Sequence, residues 1–157
     1  DPVDIVITTC AGLPLDATYY QAVKGMVGAI PIVKKGGVII IASECHEGIG
    51  SDHFKRLLFA YDDLNQFISD IQSPTWEYVQ DQWEVELLAR VAAHAEIYCV
   101  CKGIPPDDVL KCFAKPAYSI EGAVSMALNT HGANARIAVI PKGPYVIPFL
   151  SNNSIAA

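Results

Sequence analysis

No cluster of Lys or Arg appears anywhere in these 157 residues, and 11 basic residues face 17 acidic ones, for a formal charge of -6. Nucleic acid and anionic membranes are bound through a concentrated positive footprint, so neither is an expected partner. Also missing is any apolar run of the ~18 residues that a membrane span needs. Cys10, Cys45, Cys99, Cys101 and Cys112 form no CxxC or other metal-type spacing, and they read as reduced thiols of a cytoplasmic protein. The chain contains no GxSxG elbow, HExxH pair or P-loop, which leaves no self-contained nucleophile or metal centre to expect within it. A small anionic ligand is not excluded, because one well-placed cation is enough to hold it.

What is present is a series of short β-branched blocks separated by helical patterns. Val3 to Thr8, Gly37 to Ala42, Glu96 to Cys101 and Arg136 to Ile140 have strand length and read as buried parallel strands. Helical spacing runs through Ala17 to Ile30, Asp52 to Ala60, Asp62 to Ile71, Gln82 to His94, Pro106 to Phe113 and Ile120 to Thr130. This alternation predicts an α/β domain over residues 1–150: an open, mostly parallel Rossmann-like sheet with helices on both faces, a three-layer sandwich. Asp16, Asp81 with Glu84, and Ser119 read as helix N-caps, Pro31 as a helix stop, and Lys35-Gly36-Gly37 as the turn into the second strand. Residues 151–157 lack periodicity and read as a flexible tail. The abrupt start on a strand pattern, with no signal peptide, fits a fragment of something longer.

Ligands of open α/β sheets gather beyond the carboxyl ends of the strands, which singles out Thr8 to Asp16, Ser43 to His53 and Lys102 to Pro106. On the first helix, Tyr20, Val23, Val27 and Ile30 read as the stripe facing the sheet. Ala17, Gln21, Lys24 and Gly28 form a neighbouring stripe of small residues that also carries an amide and an ammonium one turn apart. That pair suits a carboxylate; the alternative is a stripe that merely touches water. In the second loop, Gly48 and Gly50 mark a turn where backbone N–H groups could cradle an anion, and a flexible polar loop is the plainer reading. His46 and His53 with Glu44 and Glu47 match no strong metal spacing. Trp83, just inside the helix that follows Asp81, offers an indole wall and one donor, or simply a core residue.

Taken together, PLDATYYQAVKGM, GGVIII, SECHEGIGSDHF, QDQWEVELLARV and RIAVIPKGPYVIP resemble the C-terminal domain of the nickel-pincer-dependent lactate racemase family, from about Asp4 to Ile147. The resemblance implies a two-domain 2-hydroxyacid isomerase with its active site in the cleft between domains. It implies a nickel-pincer nucleotide held mainly by an N-terminal domain, which also supplies the tethering lysine, the nickel ligand and the catalytic histidines. No catalytic residue and no metal ligand are then expected in this chain. By the same resemblance Gln21 and Lys24 address the carboxylate of a small 2-hydroxy acid, with lactate the leading candidate. Tyr20 adds a hydroxyl beside them, and Trp83, with Gly48 and Gly50, lines the cofactor and substrate cleft. The expected partner is the N-terminal catalytic domain of the same protein. Two other readings remain: a non-catalytic Rossmann-like module that binds a nucleotide or carboxylate or docks a partner, and a nicotinamide dehydrogenase domain, weakened by the incomplete GxGxxG.

Overall fold

In the computed structural model, which describes residues 1–151, five strands form one wholly parallel sheet in the order β4-β3-β2-β1-β5. They are β1 (Val3–Thr9), β2 (Val33–Ala42), β3 (Glu96–Val100), β4 (Lys115–Ala117) and β5 (Ile137–Ile140). Six helices intervene: α1 (Tyr19–Val27), α2 (Asp52–Phe59), α3 (Leu64–Ile71), α4 (Gln82–His94), α5 (Pro106–Lys111) and α6 (Ile120–His131). Of the expected tail, residues 152–157 lie outside the described residues.

Consecutive residues of the central strands are buried on both faces, which is why they read as continuous apolar runs rather than as an alternation. Val6, Ile39, Ile41 and Ile97 join a large core with α1 to α5, whereas Ile5, Val38, Ile40 and Tyr98 pack against Ala123 and Ala127 of α6. The three layers are therefore unequal, with five helices on one face and α6 on the other. Chain order runs outward from β1 to β4 and then returns, by way of α6, to place β5 beside β1. The reversal sets a topological switch point between β1 and β5.

Several local boundaries differ from the sequence reading, each for a physical reason. α1 starts two residues later than expected because Thr18, not Asp16, accepts from a helix N–H, that of Gln21. The Asp16 carbonyl instead accepts from the Cys45 N–H at 2.8 Å and from the Ser43 hydroxyl at 3.1 Å, fixing the loop after β1 to the loop after β2. The face of α1 turned to the sheet is Tyr19, Ala22, Val23 and Met26, all buried, so Tyr20 is freed to look toward α4. β2 begins at Val33, and Gly36 with Gly37 form an irregularity inside it: Val3 pairs with Val33 but Ile5 with Val38. Gly36 takes φ +77 there, a conformation open to glycine at little cost. β4 was not visible as a strand in the sequence, since three residues that include Pro116 carry little pattern; an edge position tolerates the missing N–H.

The small residues of α1 turn out to serve an approach within the domain. The short 3-10 turn Gly143–Tyr145 after β5 lies against the helix, where a Cβ on Gly28 would stand 3.4 Å from the Gly143 carbonyl oxygen. A Cβ on Gly143 itself would sit 2.6 Å from both the Thr8 hydroxyl and the Thr9 carbonyl oxygen, and 3.1 Å from the Gly25 Cα. Gly143→Ala is therefore expected to cost ~2–4 kcal/mol, since backbone on two sides leaves no flexible group to yield. Urea unfolding would measure it, with Gly122→Ala as the control, since a Cβ there meets nothing closer than the Ser119 hydroxyl at an ordinary 3.5 Å.

Candidate functional site

The four side chains that sequence placed at a cleft do meet. Tyr20, Gln21 and Lys24 project from the first two turns of α1, and Trp83 projects from the start of α4. The Lys24 ammonium donates to the Gln21 side-chain oxygen at 2.9 Å and stands 5.2 Å from the Tyr20 ring centroid and 5.8 Å from that of Trp83. Tyr20 and Trp83 pack edge to face, 5.7 Å between centroids, and Tyr20 makes a second such contact, at 5.2 Å, with the buried Phe54 of α2. A cation over two aromatic faces gains attraction without being neutralised. Among the described residues no carboxylate comes within ion-pair distance of Lys24, and the Gln21 amide N–H groups have no hydrogen-bond acceptor. Lys24 and Gln21 are partly buried, and Trp83 keeps 42 % of its surface exposed, so the group is open on one side.

Gly48 and Gly50 hold this group in place from below. The carbonyls of Gly48 and Ile49 accept from the N–H groups of Tyr19 and Tyr20 at 3.0 and 2.9 Å, closing the N-terminus of α1. A Cβ on Gly50 would stand 2.8 Å from the Tyr20 Cβ, and Gly50 lines a shallow hollow with Tyr20, Ser51 and Asp81. The Cys45, Glu47 and Gly48 N–H groups, which the sequence left open as an anion cradle, instead donate to the Asp16, Ala17 and Cys45 carbonyls. The loop is a clasp between β1, β2 and α1. His46 and Glu47 are exposed at 3.8 Å from each other, and His53 lies beside Arg56, 3.3 Å away. Among the described residues no trio of His, Cys, Asp or Glu is disposed to hold a metal ion.

The expected D-x-x-E capping box at Asp81 and Glu84 is also absent. Asp81 adopts φ +65 and caps nothing with its side chain; its carboxylate accepts from the Ser51 hydroxyl and ties α4 to the start of α2. Glu84 is wholly buried, and neither carboxyl oxygen has a hydrogen-bond partner among the described residues. Burial pushes its carboxyl up to about 7, the Lys24 ammonium opposes that rise, and the Asp81 charge adds to it. Tyr20 is pushed up to about 12, chiefly by burial and then by Glu84 and Asp81, so its hydroxyl remains a neutral donor. Sequence reasoning missed Glu84 because an acid in the first turn of a helix normally reads as a cap; the one available signal was its adjacency to Trp83 on the same turn.

A separate cavity of about 510 Å³ opens at the switch point, beyond the ends of β1, β2, β3 and β5, with Thr9, Gly12, Ser43, Lys102 and Lys142 in its wall. Its polar groups are largely engaged: Thr9 donates to the Pro141 carbonyl, and Lys102 pairs with Glu44 at 3.6 Å. Neither Lys24 nor Trp83 reaches it. Beneath lie the cysteines, all five of them free thiols, with Cys101 at the cavity edge.

Comparison with known proteins bears on the family and the fold. The family described as lactate racemase C-terminal domain matches residues 1–148. The lactate racemase of Lactiplantibacillus plantarum is 34% identical over 145 residues, covering 92% of this chain and 34% of that protein. That of Thermoanaerobacterium thermosaccharolyticum is 37% identical over 147 residues, covering 93% and 34%. The solved lactate racemase apoprotein from T. thermosaccharolyticum superposes with a TM-score of 0.85 at 36% identity, over 94% of this chain and 36% of that one. The chain thus spans about a third of the length of the relatives it matches. A parallel five-stranded sheet that superposes on a solved relative at 36% identity, and a family match over almost the whole chain, lead to one assignment: this chain belongs to the lactate racemase C-terminal domain family.

Proposed function

We propose that this chain is the cleft-forming C-terminal domain of a 2-hydroxyacid isomerase of the lactate racemase type, and that its α1–α4 junction binds the substrate carboxylate. The observation that carries the reading is the Lys24 ammonium, partly buried, oriented by Gln21 and two aromatic rings, and without a carboxylate partner among the described residues. A cation so placed meets less screening than one in open water, and the acid group of a small ligand completes its coordination. Gln21 supplies free amide N–H donors to the second carboxylate oxygen, and the neutral Tyr20 hydroxyl is a third donor.

The expected division of labour follows from the donor inventory. The residues here suit a wall and an anion clamp rather than a ligand set, with Trp83's exposed indole as the face offered to a flat group such as a nickel-pincer nucleotide. Bound chiefly by an N-terminal catalytic domain, that cofactor supplies reversible hydride acceptance. This chain's part is to fix the carboxylate so that the α-hydrogen has one orientation, and to shield it from water as the cleft closes. The chain alone is then inactive. A binding module without catalysis remains the second reading, favoured by the separate cavity at the switch point.

Full-length protein loaded with cofactor would test the assignment through Lys24→Met and Lys24→Arg. Removing the charge is expected to weaken lactate binding by ~1–3 kcal/mol, the usual worth of a hydrogen bond to a charged group, in a protein that still folds. Racemisation followed by polarimetry should show the loss mainly in KM, and Lys24→Arg should recover part of it. Unaltered KM in Lys24→Met would remove the basis for the carboxylate clamp.

A further inference from the structure

The Glu84 carboxyl is wholly buried one residue beyond Trp83, whose ring lies 5.8 Å from the Lys24 ammonium, and among the described residues nothing donates a hydrogen bond to it. A carboxyl in such a place is costly whichever form it takes, more so when ionised, and a leucine would fill the volume without that cost. Its one favourable interaction is with the charge of Lys24. That charge is also what an acid ligand must use. Two carboxylates, one buried and one arriving with the ligand, therefore compete for one cation.

On the carboxylate-binding reading above, we infer that Glu84 is a positioning residue for Lys24: ionised Glu84 shares the ammonium in the empty cleft, and it takes up a proton from solvent when the carboxylate of a 2-hydroxy acid binds on the open side. The exchange is balanced. The ammonium stays charged throughout, the incoming carboxylate remains ionised, and one proton moves from water to a Glu84 oxygen that has no competing donor.

The other groups around Glu84 leave this coupling intact. From α1 only Tyr20 and Lys24 bear on it, and Tyr20 is neutral across the physiological range. From the loop before α4 comes Asp81, whose charge disfavours ionised Glu84 and so favours the uptake. α2 and α3, which also pack on α4, add no charge that acts on it among the described residues. The sign follows by linkage. With Glu84 near 7 in the empty cleft and higher in the occupied one, lowering the pH through 7 strengthens anion binding, and raising it above 7 weakens binding by up to about tenfold per pH unit until Glu84 also ionises in the complex.

Calorimetric titration of lactate into the full-length, cofactor-loaded protein, in buffers of different ionisation heat, reads the proton directly. Wild type at pH 7 is expected to take up about half a proton per lactate bound. Histidines elsewhere in such a protein titrate over the same range, so the decisive quantity is the difference from Glu84→Gln, which should lose that uptake and bind lactate more nearly alike at pH 6 and pH 8. If Glu84→Gln does not fold, infrared difference spectra of wild type with and without lactate take its place: the carbonyl band of a buried neutral carboxylic acid should grow on binding, and Lys24→Met should already show it without ligand. Lactate binding with no such band, or proton uptake unchanged in folded Glu84→Gln, overturns the inference while leaving the clamp standing. Failure of lactate to bind at all overturns both.

Discussion

An ammonium with no carboxylate within ion-pair distance among the described residues, half out of water, is the constraint around which this domain is arranged. Lys24 keeps its charge available because the groups nearest to it, two ring faces and one amide oxygen, attract a cation without cancelling it. Holding those groups there requires α1 to meet α4 at a fixed angle. The edge-to-face contacts of Tyr20 with Trp83 and Phe54 set that angle, and the clasp from Cys45 to Gly50 closes the helix N-terminus below them. On the opposite side Tyr19 anchors the same turn, its hydroxyl donating to the Cys112 carbonyl at 2.9 Å inside the core. Two successive tyrosines thus divide the work: one fastens the helix to the sheet, and the next presents its ring to the cleft.

How much of this could be read from the sequence depended on whether the determining force was local. β1, β3 and the second half of β2 were legible because strands covered on both faces read as continuous β-branched, apolar runs, whereas β5, expected to be buried, is an edge strand with Ile137 and Val139 exposed and was legible from its β-branched composition alone. β4 was not, because an edge strand of three residues is fixed by β3 and by α6 rather than by its own composition. Gln21, Lys24, Tyr20 and Trp83 were identified through a motif resemblance, and their meeting across two helices is a tertiary fact that no spacing contains. Asp16 and Asp81 look like caps in sequence, yet the first joins two loops through its backbone and the second crosses to Ser51. In both cases a partner more than twenty residues away outweighed the local preference for capping.

The small stripe on α1 shows the same lesson from the other side. Ala17 and Gly28 suggested a surface made for another body to approach, and the approach is real, but at Gly28 it comes from this chain's own turn at Gly143. That turn follows β5, so the last strand of the sheet delivers the segment that covers Gly28.

Burying the Glu84 carboxyl has a thermodynamic cost that the charge of Lys24 offsets only in part. Its folded midpoint of about 7 lies above the ordinary carboxyl value of 4.5, so between those values the native state binds more protons than the unfolded chain, and stability declines as pH rises through that window. The difference corresponds to about 3 kcal/mol once Glu84 is ionised, a sizeable part of what a domain of this length has to spare. A core chosen for stability alone would not place an acid there. Buried without a donor, one residue beyond the tryptophan of the proposed clamp, Glu84 has the character of a group retained for binding at the expense of folding, and that trade-off is commonest at functional sites.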